Sequence, residues 1–202
     1  RRCLKMKLLK GITNFLQDTF YYLIAVPILF VVNKVVLGYK LIGKENIKKV
    51  PGAKITISNH VHTIDCSMNG IVNFPQYCYF VTLQSNVDLP FIGKLVKLLR
   101  GIPIPIKISE KEKFYEQISE LLKNGETVHI YPEGMLRPYA TDLLQFKKGA
   151  FTMAVENNVP IVPSVILTRE ADGKMLNEAY EKMKEQLDHN NEITYEEEDV
   201  KA

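Results

Sequence analysis

Short apolar runs alternate with helix-like stretches from Ala53 onward, and this alternation restricts the possible folds more than any other feature of the chain. Strands that alternate with helical segments are typical of an α/β domain with a parallel or mixed sheet. We therefore predict a mixed, largely parallel central sheet flanked by helices. The predicted strands are Lys54 to Ser58, Cys78 to Thr82, Ile102 to Ile106, Thr127 to Tyr131 and Ile161 to Ile166.

A helix is predicted between the third and fourth strands. Ser109 and Glu112 have the spacing of a capping box, apolar residues recur on one helical face, and Gly125 follows as a stop signal. Two further helices are predicted from about Gly149 to Glu156 and from about Lys174 to Leu187.

The N-terminal part carries basic residues and then an unbroken apolar run of 13 residues, Phe20 to Val32, that includes Pro27. A membrane-spanning helix needs roughly 20 apolar residues, and a proline kinks a helix. The pattern therefore favours a segment that lies in one leaflet, with its cations at anionic headgroups. A core helix and a signal peptide are the alternatives, and no small-residue cleavage site of the usual kind follows. We predict a membrane-associating segment over residues 1–40 and an α/β domain over residues 41–202 with an acidic C-terminal tail.

The charges nearly balance, with 26 Lys and Arg against 23 Asp and Glu. A basic surplus this small suits a phosphate group or a lipid surface but does not support nucleic-acid binding. Cys3, Cys66 and Cys78 are odd in number and lack paired metal-ligand spacing, which is typical of a reducing compartment. We expect a peripheral or monotopic protein at the cytoplasmic face of the cell membrane.

The most informative segment is Asn59-His60-Val61-His62-Thr63-Ile64-Asp65, directly after the first predicted strand. His60 and Asp65 are five residues apart, a spacing that cannot pair them on a regular helix or strand. At a strand-to-helix junction, however, the carboxylate could fix the tautomer of the imidazole and stabilise its protonated form. The alternatives are a turn histidine with a capping Asp, or a metal site in which His60, His62 and Asp65 are the ligands.

A second segment, Tyr131-Pro132-Glu133-Gly134-Met135-Leu136-Arg137, follows the fourth predicted strand. Open sheets bind ligands beyond the carboxyl ends of their strands, so this loop and His60 should face one crevice. Gly134 permits close backbone approach, Arg137 offers a forked cation for a phosphate, and Glu133 could position a hydroxyl or hold the arginine. Lys107, after the third strand, could supply a second cation. A common turn, a surface arginine and a strand-ending lysine are the structural alternatives.

Four blocks, taken in order, resemble the glycerolipid acyltransferase family, in particular the lysophosphatidic acid (1-acylglycerol-3-phosphate) acyltransferases. The family pattern consists of an Asn-His-x4-Asp block, a glycine with an apolar strand and a basic residue, a Phe-Pro-Glu-Gly-x-Arg-like block and a Val-Pro-Ile-Val-Pro block. All four occur between Asn59 and Pro163, over roughly half of the chain.

The resemblance implies that His60 is the general base and Asp65 its partner, and that Glu133, Gly134 and Arg137 bind the glycerol phosphate with help from Lys107. It implies acyl transfer from acyl-coenzyme A or acyl carrier protein to the free hydroxyl of 1-acylglycerol 3-phosphate, which gives phosphatidic acid in phospholipid biosynthesis. No cofactor or metal is expected. Acylation of glycerol 3-phosphate or another lysophospholipid, metal-dependent hydrolysis and non-catalytic lipid binding are the alternatives.

The chain departs from the family pattern in three places. Met135 and Leu136 displace Arg137 by one position, and Lys107 stands where an arginine is usual, although lysine lacks the planar fork. After Ile166 the family continues through another strand and a Gly-x-Pro turn, whereas here the sequence passes almost directly into a predicted helix.

Overall fold

The computed structural model describes residues 2–167 and, beyond them, Met183 and Glu185, with side chains described from residue 11 onward. Five strands form one sheet in the order β3-β2-β4-β1-β5, and every pairing is parallel. The predicted fold class is confirmed. The strands are β1 (Lys54–Ser58), β2 (Cys78–Leu83), β3 (Ile102–Ile104), β4 (Thr127–Ile130) and β5 (Ile161–Ser164).

Three strands end earlier than predicted: the fifth ends at Ser164 instead of Ile166, and the third and fourth end where prolines follow. The third strand ends at Ile104, before Pro105, and the fourth ends at Ile130, shortly before Pro132. Proline has no N–H to donate to a ladder and restricts the residue before it, so strand pairing stops at these positions. The first strand has the predicted bounds.

Helices connect the strands and cover both faces of the sheet. There is also a 3₁₀ turn at Ile108–Glu110, and two π turns lie at Tyr21–Ala25 and Val32–Val36. The helices are α1 (Arg2–Phe20), α2 (Val26–Val31), α3 (Lys44–Lys48), α4 (Asp65–Asn73), α5 (Gln84–Asp88), α6 (Ile92–Leu98), α7 (Lys111–Lys123) and α8 (Gly149–Glu156).

The predicted capping box is wrong, although its helix is present. The α7 helix begins at Lys111, its N-cap residue is Glu110, and no side chain caps it. The 3₁₀ turn takes up Ser109, so the serine does not stand at the helix start. The helix predicted over residues 174–187 lies outside the described residues, apart from Met183 and Glu185, which are helical. The acidic tail also lies outside them.

The two faces of the sheet have different chemistry. On one face, alternate residues of β1 and β4 point into an apolar core beneath α7 and α8. That core contains Ile55, Ile57, Val128, Ile118, Leu122, Ala150, Met153 and Ala154. On the other face, the intervening residues Thr56, Ser58 and His129 are fully buried but polar, and Asn69 of α4 hydrogen-bonds to Ser58 at 2.9 Å. The polar face lies beneath α4, whose first residue is Asp65.

The N-terminal helical segment is longer than the apolar run predicted from sequence. One helix, Gly11–Val36, is long and apolar enough to cross a membrane by length and composition alone, criteria that core helices and signal sequences also meet. The helix continues through Pro27, with π turns on either side. The sequence prediction underestimated its length because it counted only the uninterrupted apolar residues.

This helix packs along the domain over most of its length. Near its start, Arg100 donates to the carbonyl of Asn14 at 2.8 Å, and near its end the buried Asn33 donates to Ser67 of α4 at 2.8 Å. Between them, the rings of Tyr21 and Tyr77 lie 4.4 Å apart. The other side of the helix is exposed and apolar, with Phe15, Leu16, Leu23, Ile24, Ile28, Phe30, Val31 and Val35.

The buried imidazole of His129 predicts how stability depends on pH. Burial lowers its pKa from 6.5 to about 3, and its two ring nitrogens lie 2.9 and 3.2 Å from the hydroxyls of Thr56 and Ser58. Below pH 6.5 His129 takes up a proton in the unfolded chain, whereas in the folded chain it stays neutral down to about pH 3. This residue should therefore lower the free energy of unfolding by up to about 1.4 kcal/mol per pH unit as the pH falls through that window.

Denaturant unfolding of the unmodified chain and of His129→Gln across this pH window checks the prediction. The variant should lose stability less steeply as the pH falls, because glutamine takes up no proton in the unfolded state. Parallel slopes for the two proteins would show that His129 does not resist protonation in the folded state.

Candidate active site

The structure brings His60 and Asp65 together at the junction of β1 and α4. His60 follows β1 by two residues, Asp65 is the first residue of α4, and the His60 Nδ1 and Asp65 Oδ2 atoms are 2.7 Å apart. The pair lies beyond the carboxyl end of a central strand, where open parallel sheets place their ligands.

Asp65 is fully buried, and four groups donate hydrogen bonds to its carboxylate. The Oδ2 atom accepts from His60 Nδ1 and from the backbone amides of Val61 at 3.1 Å and His62 at 3.3 Å. The Oδ1 atom accepts from the hydroxyl of Tyr131 at 2.7 Å. Donors of this kind stabilise the ionised form of a carboxylate that burial would otherwise neutralise.

The ionised Asp65 determines the tautomer of His60. A carboxylate can only accept hydrogen bonds, so Nδ1 of His60 must carry the proton that points at it. The lone pair of the neutral ring is then on Nε2, and no hydrogen bond from the described residues reaches that atom. The His60 side chain is 24% exposed, so Nε2 can meet a substrate. The arrangement can accept a proton at Nε2 and hold the resulting imidazolium against a carboxylate.

The second predicted loop contacts the backbone of this turn. The amide of Arg137 donates to the carbonyl of His60 at 2.8 Å, and the amide of Tyr139 donates to the carbonyl of Val61 at 2.9 Å. The two loops predicted to face one crevice are therefore adjacent. On the other side, the Asn59 side chain exchanges two hydrogen bonds with the backbone of Ile166, at 2.9 and 2.8 Å.

Both carboxylate oxygens of Glu133 are occupied by backbone amides. Oε1 accepts from the amide of His60 at 3.2 Å, and Oε2 accepts from the amide of Leu144 at 3.1 Å. The residue is 4% exposed. In this geometry Glu133 holds the turn that contains His60 and the loop that contains Leu144 in place. Its predicted contact with substrate stays a prediction.

Gly134 is required by its backbone conformation. Its φ of +70° lies in the left-handed region, which a side chain disfavours. A Cβ atom there would also meet the end of the Lys147 side chain, which would have to shift. Sequence analysis missed Lys147, whose ammonium group lies over the Pro-Glu-Gly turn. The only sequence signal was a pair of lysines before α8, which is common on protein surfaces.

Arg137 and Lys107 differ in their proximity to the pair. Nη2 of Arg137 donates to Asp142 at 2.9 Å, whereas its buried Nη1 has no partner among the described residues and can still donate to an anion. Lys107 is exposed and follows the edge strand β3, three strand positions from β1, or about 14 Å at ordinary sheet spacing. No described contact joins it to the other predicted site residues.

Tyr131 is a second residue that sequence analysis missed. Its ring stacks on that of His60, with centroids 4.0 Å apart and planes 17° from parallel. Burial and then the charge of Asp65 raise the pKa of its hydroxyl well above 10, so it stays protonated and donates to the carboxylate.

The metal alternative has no ligand set in the described part of the chain, where no group of three or more His, Cys, Asp and Glu side chains is placed to hold a metal ion. Nδ1 of His62 accepts from the amide of Ile64 at 3.3 Å, and the ring of His62 meets Tyr139 edge-on.

A cavity of about 720 Å³ opens beside His62 and Tyr139. Among the described residues it is lined by the segment 37–44, by α4 and by residues 162–167. Its volume lies within the range of sites that hold small organic ligands.

The fold and the site define an α/β domain with a carboxylate-backed histidine at the carboxyl edge of a parallel sheet, an arrangement suited to an enzyme that moves protons. The family model for Acyltransferase matches residues 39–167, so the chain belongs to the acyltransferase family. The resemblance inferred from the four sequence blocks is confirmed.

Curated relatives and a solved structure are similar to the chain. It is 35% identical over 143 residues to the 1-acyl-sn-glycerol-3-phosphate acyltransferase of Saccharomyces cerevisiae, an alignment that covers 67% of this chain and 45% of the relative. It is 31% identical over 122 residues to the enzyme of the same name from Escherichia coli, covering 58% of this chain and 48% of the relative. The chain thus spans less than half the length of these relatives.

Among solved structures, the 1-acyl-sn-glycerophosphate (LPA) acyltransferase PlsC from Thermotoga maritima matches with a TM-score of 0.42 and 22% identity, covering 76% of this chain and 73% of that chain.

The contacts of Glu133 predict a structural effect that does not depend on substrate. Glu133→Ala removes the carboxylate that accepts from the amides of His60 and Leu144, which should lower the free energy of unfolding by about 1 to 3 kcal/mol for each hydrogen bond that is lost. Glu133→Gln retains one acceptor oxygen and should lose less. The measurement is denaturant unfolding without substrate.

The matched control is Glu116→Ala, which removes an exposed carboxylate from α7 and should change stability by no more than about 0.5 kcal/mol. If Glu133→Ala were as stable as this control, the carboxylate would not be holding the two amides.

Proposed function

We propose that the chain is an O-acyltransferase that moves a fatty acyl group from the thioester of acyl-coenzyme A or acyl carrier protein to the free hydroxyl of 1-acylglycerol 3-phosphate, giving phosphatidic acid. The observation that carries the proposal is the 2.7 Å hydrogen bond between Asp65 and His60, which leaves Nε2 of the ring open. This pair lies within the residues that match the family. The yeast and bacterial relatives are both named for acylation of this acceptor, which supports the proposal.

The chemistry requires one base. Nε2 of His60 takes the proton of the acceptor hydroxyl as its oxygen attacks the thioester carbonyl, while Asp65 stabilises the imidazolium that forms. The tetrahedral intermediate then collapses, the carbon–sulfur bond breaks, and the imidazolium returns the proton to the leaving thiolate. The products are an ester and a free thiol, so the base is regenerated without an acyl-enzyme.

The phosphate of the acceptor needs cations near the pair. Arg137 is the first candidate because its backbone contacts the histidine turn and its Nη1 is unpartnered among the described residues. Lys147 is the second candidate, above the Gly134 turn. Lys107 lies farther along the same sheet edge and would contact a more distant part of the substrate or of the donor.

We also infer that the N-terminal helix holds the domain in one leaflet at the cytoplasmic face of a membrane. A helix of 26 residues is about 39 Å long and could span a bilayer if it stood free. The helix instead contacts the domain near its start, at Tyr21 and at Asn33. It could not cross the bilayer without drawing the polar domain with it, so the exposed apolar side would lie in the lipid.

Substitution of the base tests the enzymatic proposal. His60→Ala should lower kcat for transfer of a radiolabelled acyl group by about 100 to 10,000-fold, because general-base catalysis is lost while the fold remains. The control is His62→Ala, two residues along in the same turn, which should retain most activity. Equal loss in both variants, or loss of activity in chelator, would favour the metal-dependent alternative.

A panel of acceptors tests the substrate. The unmodified chain should prefer 1-acylglycerol 3-phosphate over glycerol 3-phosphate and over lysophospholipids with larger headgroups. Preference for glycerol 3-phosphate would assign the chain to the first acylation step, and unimpaired lipid binding without transfer would identify a binding module.

The anchor is tested by replacing two exposed residues of the helix. Phe15 and Leu23 are 69% and 71% exposed, and their change to glutamine removes apolar area without touching the packed side. The free energy of membrane binding should weaken by about 3 kcal/mol or more, which lowers partitioning to anionic liposomes by about 100-fold. Flotation measures this partitioning.

The control for the anchor carries Ile108→Gln and Val155→Gln, which are exposed residues elsewhere on the domain. It should float like the unmodified chain. If both double variants floated equally well, the helix would not be the anchor.

A further inference from the structure

Tyr131 contacts both members of the His60 and Asp65 pair. It directly follows β4, its ring lies 4.0 Å from the His60 ring on one side, and the His129 ring meets it edge-on at 4.7 Å. Its hydroxyl donates to Asp65 Oδ1 at 2.7 Å. Tyr131 is also the first residue of the Tyr-Pro-Glu-Gly segment.

We propose that the Tyr131 hydroxyl is a positioning group that sets the basicity of His60 by sharing the negative charge of Asp65. The proposal rests on the function proposed above and deepens it, because it assigns control of the general base to a residue that does not contact substrate.

The two oxygens of Asp65 accept hydrogen bonds from different side chains. Oδ2 accepts the hydrogen bond from His60 Nδ1, and Oδ1 accepts the hydrogen bond from Tyr131. A donor on one oxygen draws charge from the other, so the carboxylate holds the imidazolium less strongly than it would without the phenol. Tyr131 therefore keeps more of His60 in the neutral form that can accept a proton.

The position of the hydroxyl is fixed by its surroundings. The two histidine rings confine the phenol ring, and Asn69 Nδ2 lies 3.5 Å from the hydroxyl. Asn69 is itself anchored by hydrogen bonds to Ser58 at 2.9 Å and Ser164 at 3.1 Å. The buried polar face of the sheet thus aims the hydroxyl at the carboxylate.

Other titratable groups also face the pair and must be considered with it. Cys66 comes from α4, and His129 and Glu133 come from β4 and the loop that follows it. The ring of His62, in the same turn, contacts the amide of Ile64 and the ring of Tyr139 instead. Burial keeps the pKa of His129 near 3, so it stays neutral while His60 titrates. Tyr131→Phe leaves all of these groups in place and preserves the stacked ring.

The direct test is an NMR titration of the histidine side chains in the whole 202-residue chain without substrate. Comparison with His60→Gln assigns the His60 signal. In Tyr131→Phe the pKa of His60 should rise by about one unit, because Asp65 loses a donor and holds the imidazolium more strongly. Tyr115→Phe, which removes a hydroxyl from the exposed side of α7, should leave the pKa of His60 unchanged.

A second substitution at Tyr131 should shift the pKa of His60 in the opposite direction. Replacement of Tyr131 by 3-fluorotyrosine keeps the ring and the hydroxyl but makes the phenol a stronger donor. The pKa of His60 should then fall below that of the unmodified chain. This variant also keeps the proposal testable if Tyr131→Phe does not fold.

The pH dependence of kcat/KM distinguishes a failure of the role proposed for Tyr131 from a failure of the role proposed for His60 as general base. In Tyr131→Phe the acidic limb should move to higher pH by as many pH units as the pKa of His60 rises in the NMR titration. The maximal value at high pH should be retained. An unchanged His60 pKa in the folded variants would overturn the role of Tyr131. An NMR shift without movement of the acidic limb would instead show that His60 is not the base, and would overturn the proposed function.

Discussion

A carboxylate removed from water requires donors, and Asp65 has four that come from two separate segments of the chain. Three belong to the turn that precedes α4, and the fourth is Tyr131, which follows β4. Hydrogen bonds to a charged group contribute about 1.5 to 3 kcal/mol each, more than neutral ones. The carboxylate therefore ties the start of α4 to the ends of two adjacent strands. The loop after Tyr131 then brings the amide of Arg137 to the carbonyl of His60.

The polar face of the sheet extends this arrangement inward. Most buried sheet faces are apolar, but here Thr56, Ser58, His129 and Asn69 form a hydrogen-bonded layer beneath α4. The opposite face carries the apolar core that stabilises the domain. A hydrogen-bonded layer has fewer alternative packings than an apolar one, because each group must keep its partner. The division gives the molecule one face for stability and another that fixes the geometry of the site.

The sequence was sufficient for the architecture and for the meeting of His60 with Asp65. Apolar runs predicted all five strands, and the parallel-sheet rule predicted that the loops after β1 and β4 would be adjacent. It was not sufficient for the partners of Glu133 or for the position of Lys147, because both depend on loop conformation and not on residue type. The capping box failed for a related reason, since Ser109 entered a 3₁₀ turn. The helix at the N-terminus exceeded its prediction because helical geometry continues through residues that are not apolar.

The N-terminal helix proposed as the anchor contacts the helix that begins the site, which has a consequence for substrate access. Asn33, near the end of the N-terminal helix, hydrogen-bonds to Ser67 of α4 at 2.8 Å, and Asp65 is the first residue of that same α4. If the exposed side of the N-terminal helix lies in lipid, as proposed, the His60 turn lies within one helix of the membrane surface. A lysophospholipid then needs to expose only its headgroup and free hydroxyl, and its acyl chain need not leave an apolar environment. Since transfer of each CH₂ group to water costs about 0.8 kcal/mol, the proposed placement would avoid that cost for the acyl chain of the substrate.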